Sequence, residues 1–334
     1  MKKFTLFLTV VFLCMLFVMP SHPIKKLAQT GLQFLKVDVG ARPAAMAGAF
    51  MMVGNDASAM FYNPAGIAMF RSTTDLFVSR TEWIIETKYD AAAIVQNFGN
   101  WGNVGLSLIT CDYGDIMGTR VTSTEKGYED TGLLDVGAYA VGVAYARQLT
   151  DKFSLGAHVK YAHQHLGENA YIEEDTGEQK TVDNKVSGLA YDLGTLFYPG
   201  FRSFRMGMSI RNFSPQFVYQ ETEFELPLTF TISFAMDIFD FLPALQENQS
   251  LVLAVDAVHP RDYTERLHIG GEYWYMDMIA LRGGYKFNYD EESFTVGAGI
   301  KYEIEGGFGL KIDYSYSDME FFDAINRISI GVSF

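Results

Sequence analysis

The side chains best suited to chemistry are three histidines at positions 158, 163 and 165. Imidazole nitrogens are common metal ligands, so their proximity in the sequence raises the question of a metal site. The residues around them alternate between apolar and polar types, which indicates a β-strand whose side chains point to opposite faces in turn. His163 and His165 would share one face and His158 the other, so we predict no metal site.

Catalytic motifs are also missing from the sequence. An enzyme needs a nucleophile beside a base, or two carboxylates that face each other in a cleft. We find no G-x-S-x-G, H-E-x-x-H, Walker-type loop or Cys/His pair, and Gly297-Ala298-Gly299 belongs to an alternating segment rather than to a phosphate loop. The sequence therefore predicts neither catalysis nor a cofactor.

Charged residues recur instead in the middle of strand-like segments. In one such segment Ile279, Leu281 and Tyr285 occupy one parity, while Arg282 and Lys286 occupy the other. A period of two predicts a strand with one apolar face and one polar face. The charged mid-strand residues of this kind are Arg205, Arg211, Asp256, Glu272, Arg282, Lys286, Lys301, Lys311, Asp313 and Arg327.

The same alternation predicts fourteen strands. Short joints such as "LTDK" and "YPG" follow some of them, and long acidic joints such as "GENAYIEEDTGEQKTVDN" follow others. Outer-membrane barrels have this asymmetry, with tight periplasmic turns and longer external loops. One exception, "DFLPALQENQ", has room for a short periplasmic helix. The predicted strands are residues 73–82, 87–97, 102–113, 133–149, 151–166, 184–198, 203–212, 226–238, 250–258, 266–275, 278–289, 292–304, 306–317 and 325–334.

Alternating strands also build soluble β-sandwiches and propellers, whose inward side chains are apolar. Here the apolar face is rich in aromatic residues, among them Tyr161, Tyr273 and Tyr285, and the other face carries the charges. In a membrane barrel those charges would line the lumen and the tyrosines would lie at the membrane interfaces. We therefore predict an all-β fold, a 14-stranded antiparallel transmembrane β-barrel formed by residues 73–334.

The two ends of the chain carry targeting signals. Lys2 and Lys3 precede an uncharged apolar run that is too short to span a membrane and is typical of a secretory signal peptide. We assign residues 1–28 to it, with cleavage within residues 20–28. The last ten residues, "INRISIGVSF", resemble the closing-strand signal that the barrel assembly machinery reads. The residues of that signal are Ile328, Ile330, Val332 and Phe334.

The composition limits the possible partners. The chain has 26 Lys and Arg against 40 Asp and Glu, and removal of residues 1–28 leaves 22 against 40, a net charge of −18. Such an excess argues against a phosphate-binding surface, so we expect no nucleic-acid partner. Only Cys111 remains after the signal peptide, so the mature chain has no disulfide of its own.

Residues 29–72 do not alternate. They are rich in small residues and include the pairs Asn55-Asp56 and Asn63-Pro64. Asp56 suits the N-cap of a short helix, and Asn63 suits the cap of the next one, with Pro64 at its first position. These features predict a compact plug rather than a strand.

The order "GARPAAMAGAF", "NDASAMFYNPAGIA" and then strands up to a terminal Phe resembles the FadL-type outer-membrane transporters, and more closely their PorV/PorQ-like relatives. The resemblance covers essentially the whole mature chain. It implies a barrel whose lumen is filled by an N-terminal hatch, residues 29–72. By position, the hatch motif would consist of Gly40, Ala41, Arg42, Asn63, Pro64 and Ala65.

The resemblance leaves two functions open. Proteins like PorV and PorQ serve type IX secretion by receiving or tethering secreted cargo, whereas FadL-like proteins admit small hydrophobic compounds. This chain is shorter than the transporters and its lumen face is heavily charged, which argues against a fatty-acid-type substrate. Arg42 and lumen charges such as Arg282 and Asp313 could instead pin the hatch through salt bridges. We expect a multi-pass protein of a Gram-negative-type outer membrane. Its partners would be lipid, the assembly machinery, and either secretion proteins with their cargo or a hydrophobic ligand.

Overall fold

Fourteen of the described strands close into one antiparallel barrel. The computed structural model describes residues 30–122, 125–172, 179–219, 222–242, 245–304 and 307–334, so the predicted signal peptide lies outside it. Within those ranges no helix is long and apolar enough to cross a membrane. The barrel strands are β1 (Thr74–Glu82), β2 (Lys88–Asn97), β3 (Asn103–Asp112), β6 (Val136–Thr150), β7 (Phe153–Ile172), β8 (Gln179–Phe197), β9 (Arg205–Phe213), β12 (Thr229–Asp237), β13 (Gln249–Pro260), β14 (Arg266–Tyr275), β15 (Ile279–Phe287), β16 (Glu292–Ile304), β17 (Phe308–Met319) and β18 (Ile325–Ser333).

The predicted strand number and the antiparallel barrel are confirmed, and most strand ends agree within a few residues. Three features differ. β7 continues to Ile172 and β8 begins at Gln179, so both strands are longer than predicted. They keep pairing with each other beyond the point where an apolar face is needed. Two external hairpins were not predicted: β4 (Met117–Val121) with β5 (Tyr128–Leu133), and β10 (Phe217–Tyr219) with β11 (Thr222–Phe224). The predicted periplasmic helix is a single 3₁₀ turn, Ile238–Phe241.

The two faces of the wall differ as the alternation predicts. Outward side chains such as Val143, Leu281 and Ile300 are apolar and exposed, whereas inward ones are mostly polar or very small. β1 closes the barrel against β18, and the backbone of Phe334 exchanges hydrogen bonds with that of Thr74 at 2.7 and 3.0 Å. The chain thus ends within the seam that closes the barrel.

Residues 30–72 form the hatch, which fills the lumen. It contains an α-helix, Ala41–Ala45, and the 3₁₀ helices Gln33–Lys36, Ala57–Phe61 and Pro64–Met69, and most of its side chains are buried. The hatch begins at the external end of the barrel, where Thr30 bridges to Glu225. It ends at the periplasmic turns, so its backbone crosses the lumen from one end to the other.

Candidate functional site

The centre of the lumen holds an ion-pair network that joins the hatch to the wall. Arg42, at the second position of the helix Ala41–Ala45, reaches Glu272 on β14 through two parallel bonds of 2.7 and 2.8 Å. A third donor of Arg42 reaches Asp56 of the hatch at 3.2 Å. A buried arginine held by such a bidentate pair is fixed in both position and direction.

The network continues along the wall. Arg282 on β15 donates to Glu272 and to Asp313 on β17, both at 2.7 Å. Lys311 on β17 donates to Asp56 at 3.2 Å. We call this set the hatch network, and with three cations and three carboxylates it is formally neutral. Its members are Arg42, Asp56, Glu272, Arg282, Lys311 and Asp313.

The hatch carboxylates are held in their charged form. Burial alone would raise the pKa of Asp56, but the charges of Lys311 and Arg42 outweigh it and hold that pKa well below its usual range. Asp38 behaves in the same way. Burial opposes its charge, and Lys286, at 2.8 Å, keeps the pKa of Asp38 low.

The other side of the hatch is held by close backbone packing. Asn63 caps the helix Pro64–Met69 by accepting from the N–H of Ala65 at 3.0 Å, and its amide donates to the carbonyl oxygen of Thr195 on β8 at 3.0 Å. A Cβ at Gly194 would lie 1.8 Å from the Asn63 side-chain oxygen, and one at Gly156 would lie 2.4 Å from the Ala65 nitrogen. The hatch can approach this wall only because both positions are glycine.

Narrow gaps lie beside the hatch. Three gaps, next to Gly40, Asp56 and Phe61, each measure about 10 Å³. A space of that size is at the lower limit for one water molecule. A hydrophobic compound therefore has no preformed passage through these gaps.

A larger cavity of about 490 Å³ lies above the hatch at the external end. Hatch residues 33–38 form its floor, and Trp83, Tyr89 and Tyr113 line one side. On the other side the Arg266 guanidinium is stacked between Tyr263 and Tyr289, at 4.1 and 3.8 Å from the ring centres. The cavity combines aromatic faces with fixed charges, so it suits an amphipathic chain better than a purely apolar ligand.

The hatch, the filled lumen and the closing strand can be compared with the features of known families. Residues 22–257 match the family model described as "Type IX secretion system protein PorV". This chain belongs to the PorV family. A comparison with curated proteins finds no match.

Solved structures show that this PorV family member shares its fold with FadL-type barrels. The Pseudomonas putida toluene transporter TodX is 14% identical with a TM-score of 0.58, over 88% of this chain and 96% of that one. A Pseudomonas aeruginosa FadL homologue is 11% identical with a TM-score of 0.55, over 88% and 98%. The CymD monoaromatic hydrocarbon channel is 12% identical with a TM-score of 0.55, over 91% and 99%. At these identities the likeness establishes the fold alone.

The structure brings most of the singled-out lumen charges to the hatch. Besides the hatch network, Arg205 donates to the carbonyl oxygen of Met52, and Arg211 donates to that of Phe61 at 2.8 Å. Asp256 accepts from the backbone N–H of Met51 at 3.3 Å. Lys286 reaches Asp38, as described above. The hatch-motif residues Gly40, Ala41, Pro64 and Ala65 are buried beside these contacts.

Two of the singled-out cations form their hydrogen bonds and ion pairs with wall residues. Lys301 is at the periplasmic end, where it pairs with Asp277 at 2.6 Å and with Glu303 at 2.8 Å. Arg327 is buried on β18 and donates to Ser317 at 2.8 Å. The proposed assembly-signal residues Ile328, Ile330 and Val332 lie on the outward face of β18, and their role in assembly stays a prediction.

One cluster of chemical interest was not predicted. Ser107, His158 and Asp192 lie on β3, β7 and β8 with the order of a Ser-His-Asp triad, at 2.8 Å for Ser107 to His158 and 3.2 Å for His158 to Asp192. All three are buried, and none lines the cavities described above. A Cβ at Gly142 would lie 2.3 Å from the His158 ring and 2.8 Å from the Ser107 side-chain oxygen, so the cluster is packed tightly against β6. We assign the cluster a structural role.

As the alternation predicts, His158 lies on one face of β7, and His163 and His165 lie on the other. His158 faces the lumen, whereas His163 packs against Tyr139 and His165 contacts Asp183. In the described part of the chain, no three His, Cys, Asp or Glu side chains are arranged to hold a metal ion.

Proposed function

We propose that this protein receives or tethers secreted cargo at the external surface of the outer membrane, as a component associated with type IX secretion. The observation that carries the proposal is the hatch network, which connects the hatch to three strands of the wall and leaves gaps of only about 10 Å³. Because the lumen is filled, the usable surface is the external end. Membership of the PorV family supports the same assignment.

The distribution of charge adds to this argument. The described residues of the external connections include 14 acidic and 3 basic residues, a net charge of −11. The described residues of the periplasmic connections include 4 acidic and 2 basic residues, a net charge of −2. An acidic external rim favours encounter with a basic partner from the aqueous side.

The test is a deletion strain complemented with the wild-type chain. We expect loss of secreted proteins from the cell surface and their accumulation inside the cell, with uptake of hydrophobic compounds unchanged. Normal surface display in the deletion strain, together with slowed uptake, would refute the proposal.

The alternative is passive transport of small hydrophobic compounds, as the FadL-like fold suggests. The aromatic side of the external cavity, with Trp83, Tyr89 and Tyr113, favours this alternative. It requires the hatch to move, because the aromatic side of the cavity ends at the hatch floor. A transport assay with liposomes that contain the purified protein would decide it, since uptake no faster than in empty liposomes excludes this function.

A further inference from the structure

One edge of strand β8 is paired with a described strand over only part of its length. β8 pairs with β7 from Phe197 back to Gln179, but its pairing with β9 covers only Tyr191–Phe197. Among the described residues, no strand pairs with the second edge of β8 over residues 185–190. At a rise of about 3.3 Å per residue, this open edge is about 20 Å long.

A polar clamp ends the pairing at this point. Asn212 on β9 has a φ of 58°, a conformation that asparagine tolerates better than most residues, and it interrupts the register. Its side chain accepts from Lys160 at 2.6 Å, and its N–H donates to Asp192 at 2.7 Å. β9 stops one residue later, and Pro215, which has no N–H to offer, follows.

The open edge lies at and above the membrane surface. The outward residue Leu189 is exposed and apolar, whereas Ser187 and Lys185, further out on the same face, are exposed and polar. An unpaired edge is not tolerated in the hydrocarbon region, and this one begins where the apolar belt ends. The ring of Phe217 packs on the lumen face of Gly188, so the β10–β11 hairpin covers that face without pairing with the edge.

We propose that the edge of β8 over residues 185–190 binds an extended segment of a basic polypeptide as an added β-strand. This inference rests on the proposed function and specifies how cargo is held. Main-chain hydrogen bonds supply affinity in strand addition, and the net charge of −11 on the described residues of the external connections selects a basic segment.

The test uses a fluorescent ten-residue peptide of alternating Lys and Val with the full-length protein in detergent, and follows anisotropy against protein-free micelles. Three peptides separate charge from backbone pairing: the Lys/Val peptide, the same peptide with alternate amides N-methylated, and a Glu/Val peptide. We expect the N-methylated and acidic peptides to bind at least tenfold more weakly. Equal binding of the N-methylated peptide would reduce the interaction to charge alone and overturn the proposal.

Proline substitutions locate the bound strand. Consecutive residues of an antiparallel strand direct their N–H groups to opposite edges. Of Val186→Pro and Ser187→Pro, one therefore breaks the β7 ladder and the other removes a donor only from the open edge. The variant that keeps heat-modifiable gel migration should bind the Lys/Val peptide at least tenfold more weakly than the wild type. Lys185→Ala keeps every backbone donor and should still bind the peptide.

Three outcomes would count against the strand-addition proposal. The first is undiminished binding by the folded proline variant. The second is a detergent-solubilised dimer that this variant abolishes, because the occupant of the edge would then be a second copy of the chain. If both proline variants misfold, crosslinking of the peptide to a cysteine at position 187 rather than at position 131 supports the proposal, and equal crosslinking refutes it. Surface display in the deletion strain is scored separately, so the proposed function can stand while this inference fails.

Discussion

The two sides of the hatch are attached to the barrel in different ways. On the side of β14, β15 and β17, Arg42 and Asp56 are held by buried charges. On the side of β7 and β8, the segment Asn63–Ala65 is held by a cap, one bond to Thr195 and glycines that let the backbones touch. The first side combines ion pairs with close backbone contacts at Gly270 and Gly284, whereas the second depends on shape.

This difference matters for whether the lumen can open. A neutral ion-pair network is stable only while every member is present, because each remaining charge stays buried. A glycine contact, in contrast, is lost only when the two backbones separate. We therefore expect a partner or a mutation to weaken the attachment first on the side that carries the ion pairs.

The largest effect should follow from Glu272→Ala, which leaves Arg42 and Arg282 buried without their shared carboxylate. Breaking a buried pair in this way costs about 3–5 kcal/mol. We expect the hatch to detach on this side, which planar-bilayer recordings would show as a new ion conductance. Asp277→Ala, at the exposed Lys301 pair, is the matched control and should stay silent. Silent recordings from both variants would mean that charge does not close the lumen.

A smaller effect is expected on the other side from Gly194→Ala. The new Cβ would lie 1.8 Å from the Asn63 oxygen, so the hatch or β8 must shift. Overpacking of this kind costs about 1–3 kcal/mol, and the thermal unfolding temperature in detergent should fall. Gly137→Ala is the control, since the atom nearest to its Cβ is 3.6 Å away. Equal unfolding temperatures for the two variants would refute the close-packing argument.

Asn63 allows the cap and the wall contact to be separated. Asn63→Ser keeps a capping oxygen for the Ala65 N–H but is too short to reach the Thr195 carbonyl oxygen, whereas Asn63→Ala loses both bonds. We expect the free energy of unfolding to fall by about 1 kcal/mol for the serine variant and by up to about 2 kcal/mol for the alanine variant. Denaturant titration in detergent measures both values. A serine variant as stable as the wild type would show that the bond to the wall contributes nothing.

Much of the barrel was predictable from one chain, because a wall between lipid and a polar lumen imposes a period of two on every strand. The hairpin β4–β5 was missed because residues such as Thr119, Arg120 and Asp130 are exposed in water and carry no such pattern. The hatch caps at Asp56 and Asn63 were predictable because their contacts lie within two residues of each cap.

The partners inside the lumen were not predictable in the same way. Arg42 and Glu272 are 230 residues apart, and Ser107, His158 and Asp192 come from three different strands. Which lumen residues meet depends on the stagger of the strands around the barrel, and alternation within one strand contains no information about it. Glycines on the lumen parity, such as Gly156 and Gly194, were a usable signal for where the hatch touches the wall.

The smallest effect should be a pH dependence confined to the charged side. The pKa of Asp56 is lowered in the folded protein, so its stabilising contribution is complete above its unfolded pKa of about 4 and is lost as pH falls through the folded value. The contribution of Asp56 to the free energy of unfolding should therefore stay constant between about pH 8 and pH 5. At about pH 3.5 it should be smaller by less than about 1 kcal/mol. Unfolding curves of the wild type and of Asp56→Asn isolate the contribution, because only the wild type can lose it. If the two slopes below pH 5 coincide, Asp56 is not held in its charged form by Lys311 and Arg42, and its ion pairs do not stabilise the hatch.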